Sequence, residues 1–473
     1  MQVVQPSADA LPRDARGLSS FLAARGRPGP GKLGIELELG VLRAADLSPV
    51  PYEGEAGIGA LLAGLRKHFP GEVHEGGDLI ALRGERGETI TLEPGGQCEL
   101  STAVASDLAS GLRETRQRVG AMAAVAADLG LLLVGGGLQA AAQERIPWMP
   151  KGRYRVMRAY FAALGHAGHL AHHMMQRTLS LQVSLDYSSG QDAAELLRLS
   201  FRAAALATAT FAASPFSWAR EDDQGEFASF RAEAWRFTDP NRQGLVEGVL
   251  ERDPLDAYAE HALAAPMMFR IRRGGAHDEY VAMHGASFAA ALAAGAWEDG
   301  ASLGEKDLWD HLGSIFTDAR LKPGLIELRS TDGPVFGGEH GAHEDPVLAA
   351  LGEVPAFWVG LAYDPDARRA ALALLDAASP DEVREAHTRV PAEGLRAPWR
   401  GATVGEAAWE LVGIARAGLE RRVAAGLEEA WTPTLLDPVL ARLERGLAPS
   451  DALRQAAAAG GRAGAVALLR VPT

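Results

Sequence analysis

The sequence predicts an α+β fold whose strands turn one polar face toward a common site. Three observations predict it. First, four strand-like segments far apart in the chain alternate apolar with polar residues: Gly34-Ile35-Glu36-Leu37-Glu38-Leu39, Gln97-Cys98-Glu99-Leu100-Ser101, Leu179-Ser180-Leu181-Gln182-Val183-Ser184-Leu185-Asp186 and Leu325-Ile326-Glu327-Leu328-Arg329. Residues two apart on a strand share a face, so each segment offers a polar pair on one side. Second, long Ala- and Leu-rich runs carry apolar residues at helical spacing. Third, strands and helices do not alternate regularly, which disfavours a doubly wound parallel sheet.

Bulk properties narrow the function classes. The 473 residues suffice for a large core, and 47% hydrophobic with 23% charged residues is an ordinary globular balance. A net charge of -14 argues against a general nucleic-acid binder. The single cysteine, Cys98, rules out an intramolecular disulfide and a cysteine-rich zinc site. Residues 1–32 have no apolar signal core, and no uninterrupted apolar run reaches membrane-spanning length. These features predict a cytoplasmic protein with no membrane partner.

Taken in order, residues 1–32 are expected to form a leader segment with a helix near 17–25, ended by Gly26-Arg27-Pro28-Gly29-Pro30-Gly31. The first polar-faced strand follows, then a helix over 58–69. Residues 78–83 and 88–93 predict a hairpin that turns at 84–87. A long amphipathic helix spans 108–129 and stops at Gly130, and 131–134 is a short buried strand. Ile146 to Tyr154 holds two prolines and is expected as an ordered loop. A helix over 155–163 and a flexible, partly exposed histidine-rich loop precede the Gln182 strand. Residues 192–213 predict a helix, 214–250 loops, 269–282 a hairpin at Gly274-Gly275, and 308–316 a short helix before the Glu327 strand. From residue 346 onward the chain is expected to be helical.

Chemistry concentrates on a few constellations. Glu36, Glu38, Glu93, Glu99 and Glu327 supply carboxylate oxygens, which suit Mg²⁺. Any one of them fits an exposed residue on a half-buried strand; the set, with the Pro94-Gly95-Gly96 bend and Arg329, points to a cation site. Lys151 and Arg153 suit either ATP phosphates or an acidic substrate, and equally a solvated loop. No Gly-x-x-x-x-Gly-Lys-Ser/Thr run is present, so a P-loop is not indicated. His166, His169, His172 and His173 lack the usual zinc signatures. Alternation turns Cys98 to the back of its strand, as a small buried apolar residue.

At these residues the chain resembles the plant-type glutamate–cysteine ligases, also found in proteobacteria. The resemblance rests on Gly34-Ile35-Glu36-x-Glu38, Leu92-Glu93-Pro94-Gly95-Gly96-Gln97-x-Glu99-Leu100-Ser101 and Ile146-Pro147-Trp148-Met149-Pro150-Lys151-Gly152-Arg153-Tyr154. It continues through Met174-Met175-x-Arg177-Thr178, Gln182-Val183-x-Leu185-Asp186, Ala213-Ser214-Pro215-Phe216, Glu327-Leu328-Arg329 and Pro355-Ala356-Phe357-Trp358-Val359-Gly360-Leu361. It implies a glutamine-synthetase-like fold, a curved, mainly antiparallel sheet with a polar concave face and helices outside, to which the helical spacing from residue 346 onward adds a helical C-terminal region. It divides the chain into a catalytic unit over 33–365 and a helical region over 366–473 packed on it.

The implied reaction joins the γ-carboxylate of L-glutamate to the amine of L-cysteine through γ-glutamyl phosphate, with ATP as co-substrate and Mg²⁺ as cofactor. That reaction is the first step of glutathione synthesis. The resemblance makes Glu36, Glu38, Glu93 and Glu99 the metal cage and Arg329 the phosphate-stabilising residue, with Glu327 beside the metal. Gln97 would lie next to the cage. Trp148, Met149, Lys151, Arg153, Tyr154, Arg177, Gln182 and Ser184 would line the substrate pocket. The chain departs from the family pattern at Cys98, His173, Ser184 and Ser330. These departures leave open a ligase that joins glutamate to another amine, or a non-catalytic nucleotide or metal sensor on the same fold. A monomer or homodimer is expected.

Overall fold

The computed structural model describes residues 11–218, 223–274, 278–341 and 343–473. Its centre is a nine-stranded sheet in which every neighbouring pair is antiparallel. In chain order the strands are β1 (Leu33–Arg43), β2 (Gly71–Glu75), β3 (Asp78–Arg83), β4 (Thr89–Leu92), β5 (Cys98–Ser101), β6 (Leu131–Val134) and β7 (Leu181–Asp186). Two short ribbons follow: β8 (Gln243–Gly244) pairs in parallel with β11 (Phe316–Thr317), and β9 (Phe269–Arg272) pairs antiparallel with β10 (Glu279–Ala282). β12 (Ala319–Lys322) and β13 (Leu325–Leu328) complete the sheet. The order is β12-β13-β7-β1-β5-β4-β3-β2, with β6 paired to the last four residues of β1.

Alternation sets the two faces. In β1, Leu33, Ile35, Leu37 and Leu39 are buried while Gly34, Glu36 and Glu38 are half-exposed. Odd positions of β1 and even positions of β5 therefore point into the helical layer. That layer is built from the helices Leu108–Asp128, Gly190–Thr210 and Pro346–Ala362. The first two begin with side-chain caps: Asp107 accepts from the Ser110 amide, and Ser189 from the Asp192 amide. The third begins with Asp345 accepting from Val347 and Leu348 and with Pro346 in its first turn. Val347 through Ala362 are all buried, so this apolar helix is a core helix. Among the described residues no single helix is long and apolar enough to cross a membrane.

The helix Val404–Ala424 crosses Pro346–Ala362 at glycines on both sides. A Cβ added at Gly418 would lie 2.1 Å from the Gly360 carbonyl oxygen, and one at Gly360 2.2 Å from that of Ala415. The two backbones pack without an intervening side chain. On the N-terminal side, Leu18, Phe21 and Leu22 of the helix Ala15–Ala23 are buried, and that helix packs on Pro254–Ala264.

Several elements differ from expectation. The loop over 146–154 ends early, because the helix Gly152–Ala163 begins inside it and carries Arg153 and Tyr154 in its first turn. The histidine-rich piece is partly exposed, as expected, at His166 and His169, but it is not a loop: Gly165–Gly168 is a 3₁₀ turn and Ala171–Arg177 a helix with Met174 and Met175 buried. The glycines stay in the 3₁₀ turn, and the helix forms beyond them, where burial of the methionines favours it. The stretch over 214–250 holds the helix Phe230–Arg236, anchored by buried Phe230, Arg231 and Ala234. Residues 219–222 of that stretch, and Gly275 of the β9–β10 turn, lie outside the described residues. The expected helix over 308–316 is Glu305–Leu312, and Phe316 instead joins β11.

Gly418→Ala should lower unfolding free energy by about 1–3 kcal/mol in urea denaturation, the scale of an overpacked contact. Gly413→Ala on the same helix meets nothing within 4 Å. It should stabilise by up to about 1 kcal/mol.

Candidate active site

The polar faces of β1, β4, β5, β7 and β12, with Arg329 just after β13, close around a cavity of about 360 Å³. Register brings the carboxylates together: Glu38 pairs with Glu99 across β1 and β5, and Glu36 stands between Ser101 and Gln182. Glu93 precedes the bend that leads into β5, and lines the same cavity. That bend needs its glycines. A Cβ at Gly95 would sit 2.1 Å from the Gln176 carbonyl oxygen, and Gly96 has φ +84°. Like charges directly opposite across a sheet are unfavourable, so this face is costly unless something positive is shared among them.

The acidic end shows that cost. Burial, followed by repulsion from Glu327 and Glu99, raises the Glu36 carboxyl to about 7. Burial, followed by repulsion from Glu93 and Glu99, raises Glu38 to about 8, although Ser180 Oγ donates to Glu38 Oε2 at 2.7 Å. Glu99 is raised by burial and Glu93, and accepts a 3.1 Å bond from Thr91 Oγ1.

The opposite end is cationic. Arg320 and Lys322 of β12 and Arg329 after β13 surround Glu327. Arg320 Nε bonds Oε2, Lys322 Nζ lies 2.5 Å from Oε1, and Arg329 Nη1 lies 3.8 Å from Oε2. Burial alone would raise Glu327, but these three cations hold it at about 2. Burial and the neighbouring Arg320 lower the Arg329 guanidinium to about 10. The two ends are wired together: Arg329 Nη1 donates to Gln182 Oε1 at 2.6 Å, Gln182 Nε2 donates to Ser180 Oγ at 2.8 Å, and Ser180 Oγ donates to Glu38.

A rim covers the third side. Lys151 Nζ and the Tyr154 hydroxyl both donate to the Leu92 carbonyl, the former at 3.0 Å. Burial, then the nearby Arg153, lowers the Lys151 ammonium to about 8. The Gly152 amide donates to Glu75 Oε1 at 2.6 Å, which pins the start of this helix over the sheet.

The cavity gathers Glu36, Glu38, Glu93, Gln97, Glu99, Lys151, Arg153, Tyr154, Gln182 and Arg329. Four expected pocket residues do not line it. Trp148 stacks on Arg158 at 4.7 Å and meets the His172 ring edge-on. Met149 is buried behind the bend, with its amide donating to Pro94 at 2.9 Å. Arg177 is fully buried and turns the other way, donating to His173 Nδ1 at 2.9 Å and to the Ser217 carbonyl at 2.6 Å. Ser184 lies opposite Gly34 and Glu327, beyond the cavity's end. Gln97 reaches the cavity as a brace: its Oε1 accepts from Gly95 at 2.8 Å, and its Nε2 donates to the Met175 and Thr178 carbonyls.

Sequence reasoning missed Arg320 and Lys322. Their signal is present, since Ala319-Arg320-Leu321-Lys322 alternates like the other strands and leads into Pro323-Gly324. Trp235, Phe316, Met157 and Met174 also line the cavity and carry no comparable local signal. Cys98 is buried between Leu39 and Leu92 on the helical side, and burial raises its thiol to about 12, away from the reacting face.

Among the described residues no three carboxylate, imidazole or thiolate groups form a ready-made metal cluster. The donor set nevertheless fits a hard divalent cation. Four carboxylates line one cavity, and the burial and mutual repulsion that raise Glu36 and Glu38 are relieved by added positive charge.

A family model described as glutamate-cysteine ligase family 2 matches residues 32–468. The chain is 34% identical over 426 residues to the chloroplastic glutamate–cysteine ligase of Arabidopsis thaliana, covering 89% of this chain and 75% of that one. It is 31% identical over 447 residues to the chloroplastic glutamate–cysteine ligase B of Oryza sativa subsp. japonica, covering 93% and 84%. Its fold is similar to that of a glutamate–cysteine ligase from Francisella tularensis, solved in complex with AMP, with a TM-score of 0.55 and 14% identity over 94% of this chain and 88% of that one. The plant relatives correct the cytoplasmic expectation, because they are chloroplastic proteins. A low cysteine count and a missing apolar signal core do not distinguish cytosol from plastid, since transit peptides are Arg- and Ser-rich and have no such core.

A carboxyl whose folded pKa is raised contributes stability that is complete below its ordinary value and lost as pH rises through the folded value. Glu36 and Glu38, raised from 4.5 to about 7 and about 8, spread that loss from about pH 4.5 up to about pH 8, with Glu38 carrying the part above neutrality. Without divalent cations, Tm should therefore fall between pH 6.5 and 8. The buried histidines His173, His261 and His311, lowered from 6.5 to about 4, act in the opposite sense, adding stability as pH rises towards 6.5, and their effect fades above it. Magnesium chloride should reduce the fall, and Glu38→Gln should flatten it, both read by differential scanning fluorimetry.

Proposed function

This chain belongs to glutamate–cysteine ligase family 2, and on that premise we propose that its cavity carries out ATP-dependent ligation of L-glutamate to L-cysteine. The observation that carries the reading is the division of one sheet face into a carboxylate end and a cationic end joined by the Arg329–Gln182–Ser180–Glu38 hydrogen bonds. An acyl phosphate route needs both: a place for the metal-bound nucleotide phosphates and fixed positive charge for the phosphoryl group in flight.

The steps balance within the cavity. An oxygen of the glutamate γ-carboxylate bonds to the γ-phosphorus of ATP, and the bond to the bridging oxygen breaks with its electron pair leaving on ADP. The cysteine nitrogen, as free amine, then bonds to the acyl carbon. The carbon–oxygen bond to phosphate breaks, phosphate leaves with the electron pair, and the amine proton passes to phosphate or water. Arg320, Lys322 and Arg329 present their charge to the phosphoryl oxygens. Glu327 keeps that cluster together, because three guanidinium and ammonium groups would otherwise repel one another. Glu36, Glu38, Glu93 and Glu99 would hold Mg²⁺, which when bound offsets phosphate charge. Arg153 and Lys151, on the rim, suit the α-carboxylate of an amino-acid substrate or a phosphate oxygen.

The test is ADP release with glutamate, Mg²⁺ and a panel of amines. Cysteine-dependent turnover is expected. Turnover with a different amine alone would reassign the acceptor, and silence across the panel would favour a nucleotide or metal sensor. Glu99→Gln should lower kcat by about 100-fold or more, the scale of losing one electrostatic partner of a transition state, with an unchanged circular dichroism spectrum. Near-normal activity would remove Glu99 from the metal cage.

A further inference from the structure

The helix Gly152–Ala163 supplies the rim of the cavity. Arg153, Tyr154 and Met157 line it, with Lys151 at the cap position. Arg153 and Met157 are four residues apart and share a helix face. A helix start leaves its first amides without intrahelical partners. This one has no cap of its own, because Lys151 makes no side-chain cap bond and the first turn holds no acidic residue. The Gly152 amide instead donates to Glu75 Oε1 at 2.6 Å, so the cap is a carboxylate 77 positions earlier. Negative charge there also suits the helix dipole.

The sheet edge is shaped to deliver that carboxylate. Glu75 ends β2, the edge strand, and Gly76-Gly77 turns the chain into β3. Both glycines have positive φ, +61° and +96°, as a tight hairpin turn requires. The register shifts between Val73 and His74, leaving Ile80 of β3 without a partner on β2. A bulge of this kind bends a hairpin and re-aims the side chains at its tip. The neighbouring charges are paired among themselves: Glu72 meets Arg66 at 2.9 Å and His74 at 2.8 Å. Glu75 has no salt bridge among the described residues, and its carboxylate is spent on Gly152. Gly152 leaves room for it, since a Cβ there would lie 2.6 Å from Oε1 and 3.4 Å from the Tyr280 ring.

The contact bears on Arg153. No hydrogen bond or salt bridge from another described residue holds its guanidinium, which lies over the Tyr154 ring at 5.7 Å. Where the guanidinium ends is therefore set by where its backbone starts. We propose that Glu75 is a positioning residue for the ligation: through the Gly152 amide it holds Arg153 where that side chain grips the α-carboxylate of an amino-acid substrate. The proposal rests on the functional reading above. Glu75 touches neither substrate nor phosphate, so its loss weakens binding and spares the chemical step. Glutamate and cysteine both present an α-carboxylate, so the KM of each is read separately.

The experiment is steady-state kinetics of the full-length protein with glutamate, the accepted amine and ATP varied in turn. Glu75→Ala should raise KM for one amino-acid substrate about five- to tenfold, with kcat and the KM for ATP within about twofold of the parent. Glu75→Gln keeps an acceptor oxygen and should stay within about twofold of the parent throughout. Gly152→Ala displaces the carboxylate from the other side and should copy Glu75→Ala, and the double variant should be no worse than either single one. Glu75 is half-exposed at a sheet edge, so its variants are expected to fold; should Gly152→Ala not fold, Glu75→Ala and Glu75→Gln read the contact by themselves. A lower Tm with every KM unchanged would overturn the positioning role. So would a fall in kcat with KM for ATP rising in step, or a Glu75→Gln variant as impaired as Glu75→Ala. Absence of glutamate-dependent turnover in the parent would overturn the functional reading and the role of Glu75 with it. Turnover without the KM shift would overturn the role of Glu75 alone.

Discussion

Repulsion among Glu36, Glu38, Glu93 and Glu99 is the constraint on which the rest of the structure depends. Four carboxylates on one sheet face lose hydration and gain like neighbours, and the raised Glu36 and Glu38 carboxyls record both effects. The sheet tolerates them because its other face is thoroughly apolar. Leu33, Ile35, Leu37, Leu39, Cys98 and Leu100 are buried against three capped helices, so the scaffold's stability comes from the side away from the chemistry.

The cationic end answers the same constraint with opposite sign. Arg320, Lys322 and Arg329 cannot sit together without Glu327, and Glu327 stays ionised only because they surround it. Breaking a buried charge group by removing one member leaves the others uncompensated, which is why such clusters behave as units. The hydrogen bonds through Gln182 and Ser180 fix the spacing between the two ends. The site is therefore held at a set separation on rigid strands, as phosphoryl chemistry that relies on positioning requires.

The polar-faced strands were legible because a period of two is a local property: Glu36 and Glu38, or Gln97 and Glu99, share a face whatever the rest of the chain does. The buried Cys98 followed from the same rule. Less legible were residues whose helical state depends on distant partners. Ala171–Arg177 follows a glycine-containing turn and folds because Met174 and Met175 are buried, and Phe230–Arg236 forms because Phe230 and Ala234 have a core to enter. Arg320 and Lys322 carried a strand pattern, but nothing local announced that their charge is spent on Glu327.

By itself the sequence determined the sheet-and-helix class, the carboxylate face, the glycine bend before Glu99 and the family to which the chain belongs. Each is written in short-range periodicity or in motifs read residue by residue. Only the tertiary structure decided which long side chains reach the cavity. It turned Arg177 toward His173 and Ser217, left Trp148 stacked on Arg158, made Gln97 a brace, and brought Arg320, Lys322, Trp235 and Phe316 to the site. The reason is physical: a strand fixes where its side chains start, but a flexible arginine or an aromatic ring ends where packing and charge from distant segments leave room for it.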